Sequence, residues 1–189
     1  MADSNNNIIT SGLRGTIGKE LVFRNWAGKT IVAKAPCKRP GRPTKAQAVI
    51  RDRFFMAARY GKAILSNADP AMADAYRAVL KPRQNLYTRA LRDFLSAPVV
   101  QQIENGQYTG QQGSVITVRA TDDFRVTEVC MEIYMADGTL LETGQAVQQL
   151  NGLYWTYTAQ RDNPLLYGSR IKAIACDVPG NTGSLELIV

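Results

Sequence analysis

The side chains able to do chemistry fall into three sets. The first is basic. Segment 34–47, KAPCKRPGRPTKAQ, carries five cations and no acid. Lys38, Arg39 and Arg42 from it, with Arg51 and Arg59 further on, form a candidate contact for an anionic partner such as a nucleic-acid backbone. Such a row neutralises phosphates without reading base sequence. KRPGRP approaches the minor-groove hook, whose core needs an arginine on each side of the glycine; Pro40 stands where the first should be. The alternative is a solvated connector.

The second set is acidic. Asp122, Asp123 and Asp177 fall at predicted strand ends, where three carboxylates with backbone carbonyls can gather a calcium ion. Equally, each can close an Asx-turn, so no metal and no cofactor is assigned. The third set is Cys37, Cys130 and Cys176, an odd number without zinc spacing, expected as free thiols. There is no histidine, which removes Ser-His-Asp and Cys-His catalysis and the usual general base near neutral pH. No paired residues have catalytic chemistry and spacing, so no enzyme is expected and no small-molecule substrate is identified.

The elements that must position these residues come in two styles. Residues 1–19 are polar and glycine-spaced, a turn-rich entry to a strand. ELVFRN and TIVAKA flank a short turn and read as a basic, aromatic hairpin. Prolines 36, 40 and 43 then force an extended crossing. Thr44 and Gln47 form a capping box for a helix whose face carries Ile50, Phe54, Ala57, Gly61 and Ile64, with Lys45, Arg51, Arg59 and Lys62 opposite. Asp69-Pro70 starts a second helix and Asn85 a third. From Pro98 onward, short alternating runs separated by ADG, NG, YGS and PGN turns predict seven strands of an antiparallel sandwich. The expected class is therefore α+β: a small basic domain, 1–97, made of a β-hairpin and three helices, followed by an all-β immunoglobulin-like sandwich, 98–189.

Charge follows the same division. Residues 1–95 hold 18 Lys and Arg against six Asp and Glu, and the remainder holds five against ten. This polarity allows head-to-tail contact between copies. Arg24 and Lys29 of the hairpin, with a free β-edge there, are matched to Glu128 and Glu132 of the sandwich as candidates for self-association into a ring or filament. The chain opens without a secretory apolar stretch and has no membrane-length apolar run, so a product cytoplasmic as synthesised and off the membrane is expected.

Two resemblances add to this. The second half resembles bacterial immunoglobulin-like domains through ATDDFRV (120–126), ADG (136–138), YWTYTA (154–159) and AIACDVPGN (173–181). The first half is similar to an uncharacterised bacterial, phage-associated domain family through the glycine-spaced stretch at Gly12, Gly15 and Gly18, the hairpin FRNWAGKTIVAKAP, and Gln47, Arg51 and Phe54. These imply a sandwich and a phage-like setting, and no chemistry. The resulting reading is a non-enzymatic structural or assembly protein; the alternative is a nucleic-acid-binding accessory protein using the basic half.

Overall fold

The computed structural model describes residues 2–3, 9–26, 28–37 and 41–189. Contacts divide the chain into two units, 1–44 and 45–189.

In the first unit, β1 (Ala2–Asp3), β2 (Gly15–Ile17), β3 (Leu21–Trp26) and β4 (Lys29–Lys34) form an antiparallel sheet in the order β1-β4-β3-β2. The expected hairpin is β3–β4, with Val22 opposite Ala33 and Arg24 opposite Ile31. Its edges are not free along their paired lengths. The glycine-spaced entry supplies β2 against β3, and β1 lies against β4.

The second unit contains three helices, α1 (Lys45–Leu65), α2 (Pro70–Ala78) and α3 (Leu86–Leu95), followed by eight strands. Helix starts follow the local chemistry. Asp69 accepts from the Met72 amide at 3.1 Å and Asn85 from the Thr88 amide at 2.7 Å, each satisfying an orphan donor of the first turn. α3 packs on α1, and the absence of a side chain at Gly61 permits this. A Cβ there would lie 3.0 Å from the Tyr87 ring and 3.1 Å from its carbonyl.

The strands are β5 (Val99–Gln107), β6 (Val115–Thr121), β7 (Val126–Tyr134), β8 (Leu140–Gln145), β9 (Val147–Gln148), β10 (Tyr154–Thr158), β11 (Arg170–Asp177) and β12 (Thr182–Ile188). They form two antiparallel sheets, β5-β6-β10-β9 and β12-β11-β7-β8. This is the A-B-E-D and G-F-C-C′ order of immunoglobulin-like sandwiches. Alternating residues fill the core, among them Ile116, Val118, Val129, Met131, Ile133, Trp155, Tyr157 and Ile171. The start of β5 crosses β12 so closely that only glycine fits: a Cβ on Gly183 would sit 1.8 Å from the Pro98 carbonyl oxygen.

The expected fold class is overturned. Among the described residues the chain is mostly β, with three antiparallel sheets, and the helices do not form a separate basic N-terminal domain with the hairpin. The reason is packing. The helical cluster of Ile64, Ala73, Tyr76, Leu86 and Ala90 also takes Phe124, from the β6–β7 loop of the sandwich. Three amphipathic helices of this size enclose too little on their own, and the sandwich loop completes them.

Two fragments test this dependence. Residues 45–189 are expected to melt in one cooperative transition, whereas 45–97 alone should show little helix by far-ultraviolet circular dichroism. A fragment 45–97 with its own cooperative melt would contradict the shared core.

Candidate functional site

Where helices meet sandwich, polar side chains are assembled with care. Arg89, 5% exposed, donates to the Asp123 carboxylate at 2.6 Å and to the Asp123 carbonyl at 2.5 Å. Arg92 Nε lies 3.1 Å from the same carboxylate. Phe124 stacks on Tyr76 with ring centroids 4.2 Å apart. The Tyr76 hydroxyl donates to Asp93 at 2.5 Å and lies 2.9 Å from the Tyr60 hydroxyl. At the neighbouring turn, Asp177 accepts from the Asn181 backbone at 2.6 Å and from its side-chain amide at 2.7 Å. That amide also donates to the carbonyls of Phe94 and Ser96 at 3.2 and 3.1 Å. The carbonyls at the end of α3 lack intrahelical donors, so Asn181 closes the helix from the sandwich side.

Asp93 is fully buried. Burial pushes its carboxyl up to about 6, the Tyr76 hydrogen bond pulls it down, and Asp122 and Asp177 add to the rise while Arg89 opposes it. Burial, with the Asp93 hydrogen bond, also holds Tyr76 protonated. This cluster fastens one part of the unit to another; among the described residues Arg89 Nε and one carboxylate oxygen each of Asp93 and Asp122 are buried without a hydrogen-bond partner.

A second feature faces outward. α1 has 21 residues and α3 ten, so at about 1.5 Å per residue α1 is roughly twice as long. α3 runs beside its later half, from Gly61 opposite Tyr87 to Arg53, whose guanidinium donates to the Leu95 carbonyl at 3.1 Å. Ala57, Gly61 and Ile64 are buried. The same stripe continues toward the N-terminus through Phe54 and Ile50, and these are 53% and 68% exposed, beside exposed Val49 and Met56. Lys45, Arg51 and Arg53 lie in this overhang with one acid, Asp52.

The structure places the remaining candidates as follows. Arg51 and Arg59 are exposed on α1, two turns apart, with Arg59 over the Phe55 ring at 5.9 Å. Arg42 is exposed in the first unit; Lys38 and Arg39 lie outside the described residues. Arg24 and Lys29 are exposed on β3 and β4. Glu128 accepts from the Gln145 amide at 3.1 Å, and Glu132 lies 3.5 Å from Lys172 and accepts from Tyr134 at 2.9 Å. The three aspartates each have protein donors: Asp122 takes the Phe124 and Arg125 amides, Asp123 the two arginines, Asp177 Asn181. Among the described residues no group of three or more His, Cys, Asp or Glu is placed to hold a metal ion. The cysteines are free, and burial pushes the Cys130 and Cys176 thiols up. Among the described residues, no helix is long and apolar enough to cross a membrane.

No family model matches the chain, and no curated protein does. Among solved structures, it is similar to a tetra-tandem repeat from the extending region of a large adhesion protein, at 20% identity and TM-score 0.32 over 50% of this chain and 24% of that one. It is similar also to an S-layer protein, at 19% identity and TM-score 0.34 over 77% of this chain and 24% of that one. A pullulanase of Group B Streptococcus matches at 15% identity and TM-score 0.28, over 48% of this chain and 10% of that one. The chain thus spans 24% or less of each of these proteins. At such scores the likeness carries no argument about role, and the set mixes surface and adhesion proteins with an enzyme.

Asp93 gives the junction a pH signature. Its carboxyl holds a proton more tightly in the fold, at about 6, than the usual 3.8. The stabilisation from that proton is therefore complete below about pH 4 and is lost as pH rises through 6. In Asp93→Asn this contribution is absent. The melting temperature of the wild type relative to the variant should fall between pH 4 and 6.5, by the equivalent of about 2 kcal/mol, then level off. Parallel curves would contradict the assignment.

Proposed function

We propose that the protein is a non-enzymatic structural module that assembles with other copies of itself. One observation carries this reading: the first half of α1 leaves uncovered the apolar stripe that its second half buries. A contiguous apolar surface rimmed by charge marks a contact site more often than a solvated face does. α1 must reach Arg53, whose hydrogen bond closes the end of α3, but nothing in the packing of α3 calls for the turns before it.

Nucleic-acid binding would use the same helix but a different part of it. Phosphates call for cations and not for Val49, Ile50 and Phe54, so the apolar stripe favours a protein surface as partner.

Light scattering over a range of concentrations tests the reading. The wild-type mass should rise with concentration. A double variant, Ile50→Ser with Phe54→Ser, should keep its melting temperature, because both side chains are exposed. It should lose association by about tenfold per side chain, from roughly 1.5 kcal/mol of burial each. An unchanged association in the variant would contradict the role of α1. A wild type that stays monomeric and binds DNA with a steep salt dependence would replace assembly by the nucleic-acid reading.

A further inference from the structure

The sandwich has two ends. The helices are fastened at one, through the β6–β7 loop at Asp123 and Phe124 and the β11–β12 turn at Asn181. β7 leaves that end at Val126 and reaches the other at Tyr134, which places the far end about 27 Å away.

At the far end, one cross-strand row runs over the outer face of the β12-β11-β7-β8 sheet. Leu140 is opposite Tyr134, Tyr134 opposite Arg170, and Arg170 opposite Ile188. The Arg170 guanidinium lies over the Tyr134 ring at 4.6 Å. Leu140 and Ile188 are exposed, at 49% and 72%. A groove of about 190 Å³ runs along this row, bounded by Met135, Gly138 and Gly168. Exposed Tyr167 adjoins it, since the Gly168 amide is bonded to the Val189 carbonyl at 2.8 Å. The row's cations are matched: Arg170 lies 3.7 Å from Glu186, and in the next row Lys172 lies 3.5 Å from Glu132. Asp137, in the turn beside the groove, is exposed and has no cation within ion-pairing distance among the described residues, and hydrogen bonds from Thr139 hold its carboxyl below the usual range.

We propose that this far end of the sandwich is the receptor for the α1 overhang of a second copy, so that copies join head to tail. The inference rests on the assembly reading of α1 and names its counterpart. Three observations select this occupant. Both surfaces expose large apolar side chains, Ile50 and Phe54 on one and Leu140, Tyr167 and Ile188 on the other. Their charges are opposed: the overhang, 45–56, has three cations to one acid, while residues 96–189 carry five cations to ten acids. Pairing α1 with α1 of another copy would instead bring three cations of each helix together, and like charges across an interface are costly. Because the contact joins two different surfaces, it is not used up by forming a pair, and it propagates as a ring or filament.

The test uses two full-length variants. The head variant carries Ile50→Ser and Phe54→Ser; the tail variant carries Tyr167→Ser and Ile188→Ser, with Leu140→Ser as a substitute if the latter melts early. Each alone should be monomeric by sedimentation velocity while the wild type forms larger species. Mixed one to one, they should form a species of two chains and nothing larger, because one intact head meets one intact tail. Salt should weaken that species by screening. A tail variant that assembles like the wild type overturns the receptor but leaves assembly through α1 standing. A mixture that stays monomeric overturns the head-to-tail contact. A wild type that is monomeric throughout removes both.

Discussion

The structure of residues 45–189 depends on a buried ion pair between an arginine of α3 and an aspartate of a sandwich loop. Arg89 is almost wholly enclosed, and Asp123 answers it with both its carboxylate and its carbonyl. A guanidinium in such a place is costly unless its charge is matched; here both terminal nitrogens are met, and Nε has no hydrogen-bond partner among the described residues. Removing one partner of a buried pair costs about 3–5 kcal/mol, because the other is left charged and dry. The pair fixes the loop, the loop delivers Phe124 to Tyr76, and Tyr76 donates to Asp93. Each step is short-range, yet together they bind elements 34 residues apart into one core.

From that constraint the exposed helix follows. α3 is held by Arg89 and Arg92 on one side and by Asn181 at its end. It can cover only as much of α1 as its ten residues reach. The rest of α1 continues in the same register of apolar residues with no element of its own unit against it. A partner surface accounts for this better than chance composition does, since Ile50 and Phe54 repeat the spacing of Ala57, Gly61 and Ile64.

Much of the local structure is legible in the sequence because its causes are local. Asp69 and Asn85 cap the helices that they precede, and the alternation of Val129, Met131 and Ile133 puts them in the core. The grouping of the helices is not legible in this way. The basic first half and acidic second half suggest two domains with different jobs, but part of that polarity is neutralised inside one unit, by Arg89 and Arg92 on Asp123. The signal available was Asp122-Asp123-Phe124: two acids and an aromatic in a loop, too polar for a strand and too apolar for an idle turn. Likewise, periodicity defines the stripe on α1 without showing where its cover stops, since that depends on the length of a helix some 40 residues later. The Asp-x-x-Gly-Asn run ending at Asn181 marks the turn, while its hold on Phe94 and Ser96 depends on contacts across the fold.

Amide hydrogen exchange along α1, followed as protein concentration is raised, tests the central claim most directly, because it reads the uncovered and covered halves of one helix in the same sample. At low concentration the amides of residues 45–56 should exchange much faster than those of 57–65. As copies associate, the first set should become protected while the second, already held by α3, changes little. Equal protection along the whole helix at low concentration, or fast exchange of 45–56 that concentration does not alter, would contradict the account.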